Sequence, residues 1–467
     1  MPKTMSPTKL LFRFLCLSVC IGCFCPSAAA RDFYVHPVDG LETNDGLAAE
    51  NESPGHGPFK TIHRGLRTAQ PGDTVHLAPL EEPYHESPVF HDRLCPADKP
   101  ITLDGHGATI TGAERIDLSE WELVAPGRYR KVKLLAMNPA VLGRWFFRIN
   151  GQMQHMGRTS KGTSAPLKKP DDLEEGEWTY VEADDAFYVQ LDPDTPRIEY
   201  VIEAPMRSAG VQISGRNENI VVRNLNTQHV YNDGFNIHGY SRGVLLENVS
   251  AVECGDDGIS AHDDCRIRVE GFTSIGNSTG FCHTNDSESD SNRVLIRDCL
   301  GFDVFVLDTG RHTLTNSIVY SSALNSVVVV GEKARQGEAN PPGECSLTIE
   351  NTAIVRRGKN EFAKFQAGST VAIRRSVLAG FHVQAAAASL ELTDSIVAGG
   401  KYADRQFTIF PTTKFVGRGN LYDVTFTHAA DEAGRRAAVK FHEPFNGSID
   451  EPNDYEGGID PTKLPRP

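Results

Sequence analysis

Two acidic segments follow one another closely in the middle of the chain. The first, YNDGFNIHG, contains Asp233 and His238, and the second, CGDDGISAHDDC, contains Asp256, Asp257 and His262. Cleavage of a glycosidic bond uses one protonated carboxylic acid at the leaving oxygen and one ionised carboxylate that activates water or attacks the sugar. Like charges on one wall raise the pKa of one member, which produces that division of labour. The residue types therefore indicate acid–base chemistry on a sugar.

The two segments belong to a repeat of 24 residues. Three stretches align in this frame, VQISGRNENIVVRNL from Val211, FNIHGYSRGVLLENV from Phe235 and ISAHDDCRIRVEGF from Ile259. The frame places Asp233 over Asp257, and the two histidines overlay in the same way. A strand-like repeat of this length is typical of a solenoid, and stacked turns of a β-helix hold equivalent residues about 4.8 Å apart. The frame therefore predicts a shared site on one wall.

Each of these residues also has a purely structural interpretation. Aspartate before glycine is a common turn former, and a histidine on a solenoid wall often only hydrogen-bonds its neighbour. Three carboxylates with two stacked histidines are harder to explain in this way, because unneeded like charge on one wall costs stability. We therefore predict that the cluster as a whole is functional.

Strand-like apolar alternation continues around the acidic segments. Apolar triplets recur in IVVRNL, VLLENV, IRVEGF and VLIRDC, and Asn224 and Asn248 stand at equivalent strand ends, where stacked amides can form a ladder. Near the N-terminus, PFKTIHRGLRTA predicts a short amphipathic helix that blocks the open end of the solenoid. The sequence thus predicts an all-β chain, a parallel β-helix with an N-terminal cap.

The patterns divide the chain into five parts. Residues 1–30 combine basic residues, an apolar run and an Ala-x-Ala ending, which predicts a secretory signal peptide. We expect the cap and the first β-helix turns at 31–120 and the main parallel β-helix at 209–400. Between them, 121–208 departs from the repeat and predicts an inserted antiparallel β module, as in GEWTYVEADDAFYVQL. Residues 401–467 are expected to form a C-terminal cover and tail.

The amino-acid composition limits the classes of partner and cofactor that the chain is expected to bind. Loss of the signal peptide takes the net charge from −14 to −17, since that segment carries three basic and no acidic residues. An acidic chain predicts no nucleic-acid partner, whereas an acidic polysaccharide remains compatible, because a cleft can be basic on an acidic protein. No phosphate loop or dinucleotide fingerprint appears, so we expect no organic cofactor. We assign no metal site, and the surplus of carboxylates leaves open whether the chain binds Ca²⁺.

The mature chain has no second long apolar run. We therefore expect no membrane partner after signal cleavage, and a secreted, periplasmic or cell-surface location. The six cysteines that remain contain no CxxC pair, which argues against a zinc or thioredoxin-like motif. Buried thiols are the favoured interpretation, with a disulfide as the alternative in an oxidising compartment.

The entry of the mature chain resembles a known superfamily. PFKTIHRGLRTAQPGDTVHLAP followed by ITLDGHGATITG is similar to the start of the right-handed parallel β-helix proteins of the pectate-lyase-like superfamily. This resemblance implies a right-handed solenoid. It leaves the reaction open, because the superfamily contains hydrolases, lyases, epimerases and pure binders.

Within that superfamily, the acidic segments resemble the Asn-x-Asp-Gly and Gly-Asp-Asp segments of the polygalacturonase family. The match implies that Asp233, Asp256 and Asp257 are the catalytic acid and water-activating groups, and we add His262 as an orienting catalytic residue. The family's Gly-His-Gly and Arg-Ile-Lys segments, which hold substrate, have only loose counterparts around His283 and Arg311. Together with His238, these two are our predicted substrate-binding residues.

The resulting prediction is a secreted glycoside hydrolase that acts on a polysaccharide. One alternative is a polysaccharide lyase or C5-epimerase that acts on a uronate polymer, because mannuronan epimerases carry an Asp-Pro-His segment where this chain has Ser260-Ala261-His262. A basic cleft beside His262 would favour this alternative. A second alternative is a non-catalytic carbohydrate-binding or surface solenoid, which we expect if Asp233 and Asp257 occupy separate corners.

Overall fold

The computed structural model describes most of the chain after the predicted signal peptide. The described residues are 29–135, 138–154, 166–321, 326–331, 345–356, 362–398, 406–430 and 435–438. The prediction of a signal peptide therefore falls almost wholly outside them. Within these ranges, no helix has the length and apolar character needed to cross a membrane.

The entry of the coil is built from short parallel strands and one helix. The helix begins after Thr61, whose hydroxyl oxygen accepts a hydrogen bond from the Arg64 N–H at 3.3 Å, and it buries Ile62 and Leu66. The first strand pairs in parallel with the second, and the second pairs with the fourth. The elements are β1 (Asp32–Val35), α1 (Ile62–Thr68), β2 (Thr74–Leu77), β3 (Val89–His91), β4 (Ile101–Asp104) and β5 (Thr109–Thr111).

An antiparallel module interrupts the coil. Its strands form two four-stranded sheets around a core that includes Trp121, Trp145 and Trp178. The module begins before residue 121, because β6 already pairs antiparallel with β13. The strands are β6 (Ala113–Ile116), β7 (Glu122–Ala125), β8 (Arg128–Val132), β9 (Phe147–Ile149), β10 (Gln152–Gln154), β11 (Trp178–Val181), β12 (Ala186–Gln190) and β13 (Ile202–Pro205). In the described part of the module, the helices are α2 (Pro139–Arg144) and four short 3-10 helices, Leu118–Glu120, Pro170–Asp172, Glu182–Asp184 and Arg197–Glu199.

Parallel strands resume after the module and stack into long sheets. Among the described residues, a 19-stranded and a 12-stranded sheet enclose the core. Val211 pairs with Phe235, and Phe235 pairs with Ile259, which confirms the 24-residue frame. The strands to the end of the frame's acidic region are β14 (Val211–Ser214), β15 (Arg216–Glu218), β16 (Ile220–Gln228), β17 (Phe235–Ile237), β18 (Tyr240–Val252), β19 (Asp257–Ala261), β20 (Asp264–Ile275), β21 (Thr279–His283), β22 (Glu288–Arg297), β23 (Phe302–Leu307) and β24 (Arg311–Thr315).

The parallel pairing extends past residue 400, where the sequence predicted that the repeat would end. Strands β35 (Gln406–Ile409), β36 (Lys414–Arg418), β37 (Leu421–Asp423) and β38 (Thr425–Ala430) each pair in parallel with a strand of the preceding turn, and β38 also pairs antiparallel with β39 (Arg435–Ala438). The strands before them are β25 (Ile318–Ser321), β26 (Ser326–Gly331), β27 (Ser346–Glu350), β28 (Ala353–Arg356), β29 (Phe362–Phe365), β30 (Thr370–Arg374), β31 (Val377–Ala379), β32 (His382–Ala385), β33 (Ser389–Thr393) and β34 (Ile396–Ala398).

Asparagine side chains link successive turns at one corner. Asn224 and Asn248 adopt left-handed backbone conformations, which asparagine tolerates better than most residues. The Asn248 amide donates to the Asn224 side-chain oxygen at 3.4 Å, and the ladder recurs further along, where Asn351 donates to Asn316 at 2.7 Å. The predicted amide ladder is confirmed. With it, the all-β class is confirmed, as a parallel β-helix that carries an antiparallel module.

The cysteines follow the favoured interpretation. All six that lie in the described part of the chain are buried, and none of them forms a disulfide. They are Cys95, Cys254, Cys265, Cys282, Cys299 and Cys345.

Candidate active site

The aspartates of the two segments are positioned by the glycines that follow them. A Cβ atom on Gly234 would lie 2.5 Å from the Cβ of Ala251, and one on Gly258 would lie 2.8 Å from the hydroxyl oxygen of Ser274. The opposite wall is too close at both positions for any side chain, so glycine is required there by packing. The glycines thus let the chain pass close to its neighbours at the points where Asp233 and Asp257 stand.

The structure brings the three predicted aspartates together. One carboxylate oxygen from each of Asp233, Asp256 and Asp257 lies within 4.8 Å of the other two. The stacking of turns holds them there, since the Asp257 N–H donates to Asp233 Oδ1 at 3.1 Å. All three are buried, with exposed fractions of 3%, 3% and 1%. Asp233 and Asp257 therefore do not occupy separate corners.

Asp233 is held by donors from its own segment. The side-chain amide of Asn236 donates to Asp233 Oδ2 at 2.6 Å, and that of Asn232 donates to the same oxygen at 3.1 Å. With the Asp257 N–H, three donors face this carboxylate. Hydrogen bonds to the ionised form favour it over the protonated form. Asp233 is therefore suited to act as an anion.

Asp256 is paired with a cation that the sequence did not reveal. The Arg144 Nε lies 2.7 Å from Asp256 Oδ2, and the Arg144 side chain is 32% exposed while that of Asp256 is 4% exposed. Arg144 ends helix α2 of the antiparallel module. The module reaches this wall because the ring of its residue Trp145 packs 6.4 Å from that of Tyr231, beside the first acidic segment. No repeat links the module to the acidic segments, so spacing gave no signal for Arg144.

The two predicted histidines lie beside the carboxylates. The rings of His238 and His262 stack with their centroids 4.6 Å apart and their planes at 17°, as the frame predicted. His262 Nδ1 is 3.0 Å from Thr284 Oγ1, and its Nε2 is 3.8 Å from the sulfur of Cys282. Single ligand atoms of Asp257, His262 and Cys282 also lie within 4.8 Å of one another. His262 and the aspartates thus form one continuous polar site.

The same residues include two possible ligand sets for a cation. The three aspartates offer oxygen atoms, the donors that Ca²⁺ takes, while Asp257, His262 and Cys282 offer one oxygen, one nitrogen and one sulfur, a set that suits Zn²⁺. Asp257 belongs to both sets. Cys282 is the member that the sequence prediction left out.

Two predicted substrate-binding residues lie elsewhere. His283 pairs in register with Ala261 and Val306, both core residues, and it is itself 1% exposed. Burial, and then the nearby imidazole of His312, hold the pKa of His283 well below its ordinary value. Arg311 stands on β24 of the 19-stranded sheet, whereas the strands that carry the aspartates belong to the 12-stranded sheet.

Arg311 also engages a partner on its own wall. Its guanidinium lies 3.4 Å from a carboxylate oxygen of Glu288, and its side chain is 71% exposed. The structure therefore does not bring His283 or Arg311 to the aspartates, because one points into the coil and the other lies on a different sheet. Of the three residues predicted to bind substrate, His238 alone borders the site.

Comparisons with known proteins agree at the level of the fold. No protein-family model matches the chain, and no curated protein matches it. Among solved structures, the chain is similar to XylC in complex with xylose, with a TM-score of 0.53, 12% identity, and coverage of 83% of this chain and 86% of XylC. A glycoside hydrolase matches with a TM-score of 0.46, 10% identity and coverage of 88% and 99%. The lacto-N-biosidase of family GH136 from Eubacterium ramulus matches with a TM-score of 0.32, 11% identity and coverage of 84% and 68%. The likeness to XylC shows that the two chains share a fold.

Proposed function

We propose that the protein is a secreted carbohydrate-active enzyme of the pectate-lyase-like superfamily, a glycoside hydrolase that cleaves a polysaccharide. One observation carries the proposal: an oxygen of each of Asp233, Asp256 and Asp257 lies within 4.8 Å of the others. Mutual repulsion disfavours ionisation of all three at once, so such a cluster retains a proton that it can deliver. The shared fold with XylC, whose structure contains xylose, supports a sugar ligand.

The contacts of each aspartate indicate its role in the reaction. Asp233 and Asp256 are stabilised as anions by amide donors and by Arg144, so both are suited to accept a proton from water. The retained proton is transferred to the leaving oxygen as the glycosidic C–O bond breaks. Water then supplies the oxygen that bonds to the anomeric carbon, and its proton passes to a carboxylate.

The substrate reaches the carboxylates along the two stacked histidines. His238 and His262 are half-buried, as are Tyr231 and Asn232, while the aspartates themselves are buried. Sugar rings stacked or hydrogen-bonded along this border would place one glycosidic oxygen over the carboxylates. His262, which is next to Asp257, is the residue that orients the sugar rings.

The same border favours a neutral sugar over a uronate. His262 is next to the carboxylate of Asp257 and contacts Thr284 and Cys282, and Arg144 is engaged by Asp256. A lyase or epimerase needs to neutralise the carboxylate of its substrate before it removes the C5 proton. Arg144, the cation placed beside the aspartates, is already paired with Asp256, so we propose that the substrate is a neutral polysaccharide.

The test is a screen across neutral, uronic and sulfated polysaccharides with the mature wild-type chain, Asp257→Asn and Asp290→Asn. Asp290 is an exposed aspartate on another wall and serves as the matched control. We expect the wild type and Asp290→Asn to release reducing ends from a neutral polymer. We expect Asp257→Asn to be at least about 100-fold slower, because general acid–base catalysis contributes at least that much.

Two results would contradict the proposal. Absorbance of new double bonds on a uronate polymer, without hydrolysis of neutral polymers, would identify a lyase. Equal activity of Asp257→Asn and wild type would show that this carboxylate takes no part in the reaction. Aryl glycosides with a good leaving group then identify the acid, because its asparagine variant keeps activity on them and loses activity on the polymer.

A further inference from the structure

A second polar cluster lies at the entry of the coil, several turns before the carboxylates. The register of β1, β2 and β4 aligns Tyr34 with His76 and His76 with Asp104. His106 follows directly in the turn after β4. The rings of Tyr34 and His76 stack 5.3 Å apart, and those of His76 and His106 stack 5.1 Å apart. Three successive turns of the coil thus contribute to one group of side chains.

The two imidazoles face each other with their nitrogen atoms. His76 Nδ1 lies 2.8 Å from His106 Nε2. Single ligand atoms of His76, His106 and Asp104 all lie within 4.8 Å of one another. His106 is held in this position at a φ of 50°, in the left-handed region that a residue with a Cβ atom seldom occupies.

The surrounding residues orient the cluster in the way that metal sites require. His76 Nε2 lies 2.9 Å from Asp32 Oδ1, which places the proton on Nε2 and the lone pair on Nδ1. Asp104 accepts from Arg223 at 2.7 Å and from Asn224 at 3.1 Å. These two donors hold the carboxylate of Asp104 in a fixed orientation.

We propose that His76, His106 and Asp104 bind a divalent transition-metal ion, with Zn²⁺ as the reference ion and Asp32 as the residue that orients His76. Two imidazoles and a carboxylate suit Zn²⁺, whose bonds to nitrogen measure about 2.0–2.1 Å. Tetrahedral geometry then separates two nitrogen ligands by about 3.3 Å. The 2.8 Å contact between the imidazoles needs to open by only a few tenths of an ångström to admit the ion.

The position of the cluster suggests what the ion does. An open cleft adjoins both imidazoles and is lined further by Tyr34, Val35, Leu77, Ala78 and Pro79. It gives water access to a fourth coordination position. The three protein ligands come from two adjacent turns, His76 from β2 and Asp104 and His106 from the end of β4 and the turn that follows it, next to β1 at the start of the coil. An ion held there ties these turns together, since metal binding to the native state adds directly to stability. The inference is independent of the proposed hydrolase.

Other clusters of the chain supply controls. His56 lies 2.9 Å from Asp45 and 3.4 Å from Glu52, so it offers two carboxylates with a single imidazole. His262 belongs to the ligand set at the candidate active site. Binding at the proposed site should depend on His76 and His106 and be indifferent to His56 and His262.

The experiment is a calorimetric titration of Zn²⁺ into the mature chain without an affinity tag, at pH 7.5, with thermal unfolding in the presence and absence of Zn²⁺. We expect one equivalent of Zn²⁺ to bind the wild type and raise its Tm. We expect His76→Gln and His106→Gln to lose this binding, and Asp32→Asn to weaken it by about 10- to 100-fold, the effect of removing an outer-shell partner. His56→Gln should bind as the wild type does, and His262→Gln should retain the binding that depends on His76 and His106.

Three results would overturn the proposal: no binding by the wild type, binding that survives both His76→Gln and His106→Gln, or binding lost in His262→Gln alone. Circular dichroism and Tm without Zn²⁺ verify that the variants fold. His106 is 44% exposed at its side chain, so its glutamine variant should fold as the wild type does. Hydrolysis is not part of the readout, and failure of one proposal therefore leaves the other standing.

Discussion

Two buried polar groups of the coil differ in the partners of their side chains. The carboxylates of Asp233, Asp256 and Asp257 cluster at the start of β17 and β19, where Arg144 of the antiparallel module pairs with Asp256. On the next two turns, His283 and His312 stack inside the coil, with ring centroids 5.5 Å apart and planes at 19°. Both groups are buried, so burial alone does not tell a functional site from a packed core.

Hydrogen-bond partners make the distinction. Asp233 accepts from three donors and Asp256 pairs with Arg144. Among the described residues, neither ring nitrogen of His283 has a hydrogen-bond partner. A buried polar group without a partner costs free energy that an apolar group would not. The carboxylates are thus built into a network, whereas His283 occupies a position that aliphatic residues fill in neighbouring turns.

The largest effect should come from the carboxylate network. We expect Asp233→Asn to lower kcat by about 1000-fold, close to 4 kcal/mol in the barrier, because the amide cannot accept a proton from water. Asn236→Ala keeps the carboxylate and removes one donor to it. We expect only about a 10-fold loss in that variant, with the acidic limb of the pH–rate profile moved to higher pH, since the ionised form is less stabilised. Steady-state kinetics on the polymer identified in the screen measures both.

A contrary outcome would be informative. If Asp233→Asn unfolds, or if Asn236→Ala matches its loss, the donors around Asp233 stabilise the fold and do not serve catalysis. Tm measurements on both variants separate these cases.

The imidazole pair predicts a smaller effect, on acid stability. Burial lowers the pKa of His312 to about 4, and the pKa of His283 is well below its ordinary value. Below about pH 6.5 both histidines are protonated in the unfolded chain but stay neutral in the folded chain. The free energy of unfolding therefore falls by about 1.4 kcal/mol for each histidine with every pH unit of acidification. The loss continues until the folded pKa is reached.

Replacement of His283 by leucine should remove its share of that loss. We expect His283→Leu to gain about 1 kcal/mol at pH 7.5, from relief of the unpartnered ring nitrogens, and about 2 kcal/mol more at pH 5. Denaturant unfolding at several pH values measures the slope, and exposed His63→Gln is the control with an unchanged slope. An unchanged slope in His283→Leu would show that His283 is protonated in the folded chain.

The same contrast explains what the sequence revealed. The 24-residue frame predicted that Asp233 overlies Asp257 and that His238 overlies His262, because strand pairing in a regular coil converts sequence spacing into distance. His283 was predicted from a loose motif resemblance and not from the frame, and strand pairing places it in register with the core residue Ala261. A loose motif match does not record which face of a strand a side chain occupies.

Arg144 shows the other limit of the sequence. It belongs to a module with antiparallel pairing, and its contact with Asp256 is a tertiary one that no periodicity encodes. The pairing at the end of the coil was also underestimated, because β35 to β37 continue the stack with sequences that no longer follow the triplet pattern. The fold and the acidic half of the site are therefore predictable, and the module's contribution to that site is not.

The smallest expected effect is the difference in stability between variants of Arg144 and Arg311. Arg144→Gln leaves the buried Asp256 without its cation, and we expect a loss of about 1–2 kcal/mol in the free energy of unfolding, reduced from that of a fully buried pair by the partial exposure of Arg144. Arg311→Gln removes an exposed pair with Glu288 and should cost less than about 0.5 kcal/mol. Denaturant unfolding at low and at high salt measures both, and only the Arg311 pair should be weakened appreciably by salt. Equal losses in the two variants would mean that the module does not enclose Asp256 in solution. The assignment of Arg144 to the candidate active site would then be wrong.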